Sequence, residues 1–513
     1  MNSALLLENY ARIADAPDAI ARLRRFVLDL AVRGKLVEQD AEAEAATSSL
    51  KTANVKDFVE HPKLVGWAEA KIGQLLQFQY GKGLHANERQ ESGAVPVFGS
   101  NGIVAYTHTA LTDKPSIIVG RKGSAGALNL CSGPSWTTDV AYFVEAPTYF
   151  SLRYLLLSLS ALGLDQLGKG VKPGLSRSDA YALALGVPPL AEQHRIVGKV
   201  DELMALCDQL EAARESRETE RDMLTAASFA RLNAPDHKTF AADARFALAN
   251  LAPLTTRADQ IKHLRQTILN LAVCGKLARQ DAADEVSDLP PLREFAAASG
   301  WNVEVFEQFS STIKLPNGWK IAPLAQISAN IVDCPHTTPK WKEEGELCIR
   351  TSQLRPGALD LAASRFVSSE EYLKRVERLE PAEGDILYSR EGGILGIACR
   401  VPPKTRLCLG QRLMLIRAGG VTRPDFLEIV LNSPFITDIA RIYTTGGAAP
   451  RVNMSTVRAY PIPVPPIAEQ QRIVAKVNEL MARCDQLEDS LTDEEQTRSH
   501  LLESVLQNAL EPA

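Results

Sequence analysis

The side chains best placed to do chemistry lie in two short loops, Gly120-Arg121-Lys122-Gly123-Ser124-Ala125-Gly126 and Ser389-Arg390-Glu391-Gly392-Gly393-Ile394-Leu395-Gly396. Each follows a run of β-forming residues and sets an arginine ahead of closely spaced glycines. A guanidinium forks onto guanine or phosphate oxygens, and glycines let backbone amides approach a phosphate. One such loop is ordinarily only a turn. Two of them, in the same order relative to the rest of the chain, point to nucleic-acid contact.

Catalytic chemistry finds no comparable support. No GxxxxGK[ST] phosphate loop occurs, so nothing speaks for ATP hydrolysis. An adenine methyltransferase needs an Asn/Asp-Pro-Pro-aromatic loop, whereas the Pro-Pro pairs here are Val-Pro-Pro-Leu, Leu-Pro-Pro-Leu, Val-Pro-Pro-Lys and Val-Pro-Pro-Ile. Asp236 and Lys238, in the run Pro-Asp-His-Lys, have no partner carboxylate at a nuclease's spacing. Cys334 and His336 are followed by no second pair of metal ligands and read as a turn residue and a surface imidazole. The chain reads as non-catalytic.

What positions the two loops is visible as a repeat. AEQHRIVGKVDELMALCDQLE at 191–211 returns as AEQQRIVAKVNELMARCDQLE at 468–488, identical at 17 of 21 positions. LRRFVLDLAVRGKLVEQDA at 23–41 returns as LRQTILNLAVCGKLARQDA at 264–282, identical at 12 of 19. A shorter echo is Gly66-Trp67 and Gly318-Trp319. The offsets are 277, 241 and 252 residues, so the stretches 67–190 and 319–467 differ in length and sequence while their flanks are near copies. The pattern is one frame holding two unlike inserts.

The frame reads as helix. Ile196, Val200, Leu203, Cys207 and Leu210 recur at spacings of four and three, and Ile473, Val477, Leu480, Cys484 and Leu487 repeat the rhythm. Such a stripe is buried against a partner helix, so these residues are the candidate helix-pairing set, with the cysteines as small apolar groups. Pro188-Pro189 and Pro465-Pro466 stop the strand before each helix, and Glu192 and Glu469 fall in a first turn, where the dipole favours a carboxylate. The first long helix is predicted over about 191–231, roughly 60 Å at 1.5 Å per residue. The shorter helices are predicted to end near Gly34 and Gly275, placed as C-terminal caps.

The inserts read as mixed α/β domains. β-rich runs at 115–120, 139–146, 385–389 and 412–418 alternate with turns, and each insert carries one apolar helix, around Leu152–Leu162 and Pro424–Asn432. Each then closes on a polar loop, 168–179 or 444–456, before the Pro-Pro boundary. The division predicted is 1–66, short helix and linker; 67–190, first insert; 191–318, long helix, short helix at about 259–282 and linker; 319–467, second insert; 468–513, long helix. The fold class is α/β (α+β), with two mixed domains joined by two long antiparallel coiled-coil helices in a pseudo-twofold repeat.

The bulk numbers agree with this division. The 513 residues carry a net charge of −5, but 67–190 is +2 and 319–467 is +4, leaving −11 on the remainder. Weakly basic inserts permit DNA binding, and the acidity belongs to the helices. Eight cysteines without a CxxC pair argue against a disulfide framework. The N-terminal MNSALLLENYARIA lacks a basic n-region and a long apolar core, and the apolar stretch near Tyr154–Leu164 is too short to span a bilayer. A cytoplasmic protein with reduced thiols and no membrane contact is expected.

The motifs assembled here resemble the specificity subunits of type I restriction-modification systems across nearly the whole chain. The resemblance is carried by the two AEQ segments, by LAVRGKLVEQD and LAVCGKLARQD, by FGSNGIVAY, IIVGRKGSAG and GVKPGLSRSD in the first insert, and by GDILYSREGGILG and GQRLMLIR in the second. It implies that each insert is a target-recognition domain reading one half of a bipartite, asymmetric site in double-stranded DNA. Two methyltransferase subunits dock on the helices, and restriction/translocase subunits join them. S-adenosylmethionine, ATP and Mg are then expected in the partners, and no cofactor in this chain. The candidate DNA contacts are Lys82, Asn101, Arg121, Lys122, Ser124, Lys169, Lys172 and Arg177 in the first insert, and Arg350, Gln353, Arg390, Arg412, Arg451 and Asn453 in the second. The segment GGAAPRVNMSTV departs from the family's usual run. Rival readings are the specificity module of a related anti-phage modification system and a helical adaptor whose inserts bind protein.

Overall fold

Two helices of 44 residues each, Leu190–Asn233 and Ile467–Leu510, begin directly after the Pro-Pro pairs and carry the predicted stripe. The computed structural model describes residues 13–168, 174–234, 238–299, 303–310, 315–362, 364–392, 395–446 and 450–510. The shorter helices, Ala19–Val32 and Ala258–Val273, stop where the glycines predict, so the second ends well before the bound of about 282 expected from the repeat. Gly34 and Gly275 adopt φ of +64° and +67°, which turns the chain so that the amides of Lys35 and Lys276 reach back to the carbonyls of Leu30 and Leu271 at 3.0 Å. This left-handed cap is the reason a glycine stands at each place. No helix among the described residues is long and apolar enough to cross a membrane.

The chain divides into two compact units, residues 1–218 with 494–513, and residues 219–493. Each takes the start of one long helix and the end of the other. In the first unit Arg24 meets Asp208 and Glu211 at 2.6 and 2.7 Å, and Arg22 of the same short helix lies 3.8 Å from Glu503. Phe26 and Leu30 share an apolar cluster with Leu502 and Leu506, so the N-terminal helix does pack against the C-terminal one. The second unit repeats the grip, with Arg265 at 2.6 Å from Asp485 and 3.0 Å from Glu488. Such exposed pairs contribute about 0–1 kcal/mol each, so their value is in fixing register.

Three repeated motifs that are far apart in sequence meet at one point in each unit. The indole N–H of Trp67 donates to Glu192 and that of Trp319 to Glu469, both at 3.0 Å. A Cβ on Gly34 or Gly275 would come within 3.1 Å of the same indole, so the helix cap rests on the tryptophan. Gln193 and Gln470 complete the joint. Each donates to the carbonyl of the Pro-Pro pair, at 3.0 and 2.9 Å, and accepts from the amide of Ser151 or Arg423, the residue that opens the insert's apolar helix. The AEQ motif is therefore a clamp from frame to insert. The acidic side chains are not simply dipole partners at the helix start, because both are buried.

That burial has a pH consequence. Removal from water pushes the carboxyls of Glu192 and Glu469 above the usual carboxylate range, against the opposing pull of the indole N–H. A carboxyl with a raised folded pKa stabilises the fold most below its unfolded pKa, and that contribution is lost as pH rises through the folded value. The double variant Glu192→Gln/Glu469→Gln keeps an acceptor for each indole and removes the charge. Its thermal midpoint should approach that of the wild type in acid and exceed it increasingly as pH rises through this window. Parallel pH profiles would contradict the assignment.

The predicted stripe is buried at Ile196, Val200, Cys207, Ile473, Val477 and Cys484 and partly buried at its four leucines, and its cover within each unit is now defined. Ile196 and Val200 enter the core of the first insert, with Leu203 packed against it. Ile473, Val477 and Cys484 enter that of the second, with Leu480 and Leu487 beside them. Cys207 is buried, and Leu210 lines a cleft with Leu23 of the short helix. In these contacts the stripe serves as the seam to the insert and the short helix.

Both inserts are built on the same four-stranded antiparallel sheet. The order is Gln79–Tyr80, Ala141–Glu145, Ser116–Gly120, Leu128–Cys131 in the first, and Ser328–Asp333, Leu413–Ala418, Ile386–Ser389, Ala398–Arg400 in the second. The predicted apolar helices form as Leu152–Ala161 and Pro424–Asn432 and bury against these sheets. Beyond this the inserts diverge. The first adds a three-stranded sheet of Ile103–Thr107, Val95–Phe98 and Trp136–Thr137, and the second a four-stranded sheet of Trp341–Lys342, Phe366–Val367, Glu346–Ile349 and Leu407–Leu409. Short helices occur where linkers were expected, among them Ala46–Thr52 and Glu304–Ser310. Each is pinned by two apolar residues, Ala46 with Leu50 and Phe306 with Phe309, too few to register as a periodic pattern.

Candidate nucleic-acid interface

The arginine–glycine loop of each insert is stitched to the polar loop that follows it by some fifty residues or more. Leu175 donates its amide to the Arg121 carbonyl at 2.8 Å, and Lys122 bridges to Gly174. In the second insert Val452 donates to the Arg390 carbonyl at 2.9 Å, and Glu391 bridges to Arg451. Two loops that the sequence separates thus form one edge in each insert, with identical backbone wiring. Short helices, Arg177–Tyr181 and Met454–Arg458, follow at once.

The two arginines have opposite surroundings, and strand register explains why. Val119 pairs with Tyr142, which pairs with Tyr80 on the edge strand. The corresponding row of the second sheet is Tyr388, Met414 and Asp333. The arginine two residues after Val119 or Tyr388, directly past the end of the central strand, therefore meets a tyrosine in one insert and an aspartate in the other. Arg121 is half-buried, with its guanidinium 5.0 Å from the centroid of Tyr80. Arg390 is only 8% exposed and meets Asp333 at 2.6 and 3.2 Å, while donating also to the Val452 carbonyl. Its hydrogen-bonding edge is occupied by the protein, so in this arrangement it holds the edge together.

The other candidates sort by exposure. Lys82, Asn101, Lys122, Ser124 and Arg177 are exposed, and the guanidinium of Arg177 lies 4.9 Å from the same Tyr80 ring. Lys169, Lys172 and Asp236 lie outside the described residues, as do Gly393 and Ile394. In the second insert Arg412, Arg451 and Asn453 are exposed, and Arg412 holds the strained φ of +68°. Arg350 is exposed beside Trp341, with which Arg365 also stacks, at 5.9 and 5.5 Å. Gln353, by contrast, is buried and accepts from the Arg350 amide at 3.0 Å, so it shapes a turn.

Two further readings change. The loop glycines were expected to clear space for a phosphate, yet a Cβ on Gly120 would fall 2.0 Å from the Ser124 carbonyl oxygen, and one on Gly126, at φ +79°, 2.2 Å from the Asp165 amide. The space at these two is taken by the chain's own backbone, whereas a Cβ on Gly123, Gly392 or Gly396 would meet nothing closer than 3.6 Å. Cys334 is part of an apolar core, not of a turn, and burial pushes its thiol up, which disfavours metal ligation. His336 is exposed, 3.3 Å from Asp333. Tyr80, Trp341 and Arg365 were missed, because single aromatic and basic residues in short strands carry no motif.

Comparison with known proteins identifies the family to which these sequence motifs belong. The family model described as type I restriction modification DNA specificity domain matches twice, at residues 64–220 and 338–494. The EcoEI type I restriction enzyme specificity subunit of Escherichia coli is 26% identical, the alignment covering 96% of this chain and 94% of that protein. The EcoAI specificity subunit of Escherichia coli is 23% identical with the same coverage. Among solved structures, the HsdS subunit from Thermoanaerobacter tengcongensis is 15% identical with a TM-score of 0.45, covering 88% of this chain and 100% of that one.

Proposed function

The chain belongs to the family of type I restriction-modification DNA specificity subunits, and on that premise we propose that each insert reads one half of a bipartite, asymmetric site in double-stranded DNA. The observation that carries this is the duplicated edge, in which the same backbone wiring presents different side chains on the two inserts. A shared frame with unlike edges is what two readers of unlike half-sites require. The helical frame docks two methyltransferase subunits, which bring S-adenosylmethionine, and restriction/translocase subunits bring ATP and Mg. The chain itself binds no cofactor and works in the cytoplasm.

The test uses the purified chain with and without methyltransferase subunits from the same source. DNA methylation should require both components, and binding by the assembled complex should fall steeply with added salt, log K dropping by about 0.9 per phosphate contact for each log unit of salt. Methylation by the chain alone, or salt-independent binding, would refute the proposal.

A further inference from the structure

The first insert carries an exposed aromatic ring with two guanidinium groups over it. Tyr80 is 47% exposed, and Arg121 and Arg177 approach its centroid to 5.0 and 4.9 Å. The ring does not float. It packs edge-on against buried Tyr142 at 5.0 Å, and the Tyr142 hydroxyl donates to the Leu175 carbonyl at 3.2 Å, within the loop that carries Arg177. Tyr181 accepts from the Phe78 amide at 2.8 Å and packs against Phe78, which fixes the far side of that loop.

Neither guanidinium is neutralised. Arg121 donates to the Asp139 carbonyl at 3.2 Å and Arg177 to the Phe78 carbonyl at 3.5 Å, and among the described residues neither is ion-paired. Stacking on a ring restricts the side chain while leaving most of its donor edge free, which lowers the ordering cost of a planar, two-pronged contact. In the major groove the matching acceptor pair is the O6 and N7 of guanine.

We propose that the Tyr80–Arg121–Arg177 cluster reads a guanine in the half-site of the first insert, with Tyr80 as the platform that aims the two arginines. The proposal rests on the assignment of that insert as a DNA reader. A phosphate would attract the same charges, so the experiment separates the two acceptors. The variant Arg121→Lys/Arg177→Lys keeps both charges and loses the fork.

Methylated motifs are mapped for the complete complex carrying this variant or the wild-type chain. One G·C position in the half-site of the first insert should lose roughly ten- to hundred-fold discrimination, with the other half-site unchanged. Uniform weakening with every position of the motif retained would mean phosphate contact and overturn the proposal. Should the variant fail to assemble, a second arm needs only the wild-type complex and synthetic duplexes with 7-deazaguanine, which lacks the N7 acceptor. Binding should drop about tenfold at one guanine of that half-site, and insensitivity at every guanine there would overturn the proposal. A wild-type complex that showed no bipartite motif would instead remove the premise that this insert reads DNA.

Discussion

Exchanging residues 67–190 for the corresponding insert of a relative with another specificity should change one half of the methylated motif completely and leave the other half as it was. The ground for this is the joint at Trp67, Glu192 and Gln193: the only insert side chain in it is the indole of Trp67, which donates to the frame's Glu192, while Gln193 of the frame bonds to insert backbone. An incoming insert that preserves the tryptophan and the helix start can meet the same clamp. The core of the first insert lies within its own unit, and that of the second within the other. Altered bases in both halves, or an unaltered motif, would mean that the inserts do not read independently.

Arg390→Ala should cost the second insert about 3–5 kcal/mol, because it leaves Asp333 as a buried carboxylate without its guanidinium partner. The pair is 8% and 11% exposed, and Arg390 also joins the strand end to the Val452 carbonyl. Arg121→Ala, at the equivalent point of the first insert, removes a partly exposed cation over a ring, an interaction worth about 0.5–1 kcal/mol. Urea unfolding of the two variants should therefore separate them clearly in midpoint. Equal destabilisation would show that the register argument, Tyr80 against Asp333, does not govern these arginines.

That contrast also marks how far the sequence could be read. The helical frame was legible because its signals are periodic or punctuating: the stripe from Ile196 to Leu210, the Pro-Pro stops, and Gly34 and Gly275 at the caps. The strands Ser116–Gly120 and Ile386–Ser389 and the helix Pro424–Asn432 were legible as apolar runs between turns. The repeat further showed that Gly-Trp and AEQ belong together, but not that the indole of Trp67 bonds to Glu192. Contacts across more than a hundred residues leave no trace in local spacing. The two edge arginines looked equivalent in sequence because the residue that distinguishes them sits on another strand, Tyr80 or Asp333, aligned only by sheet pairing. Gln353 was misjudged for a different, local reason: its side chain accepts from the Arg350 amide and is consumed by its own turn.

The measurement that tests the central claim most directly is the mapping of methylated bases in the source genome with and without this gene, all partner genes being intact. Two short specific sequences separated by a fixed non-specific spacer should be methylated when the gene is present and should lose that methylation when it is deleted. A motif that persists after deletion, or one that is contiguous and palindromic, would contradict an account built on two unlike readers held by one duplicated frame.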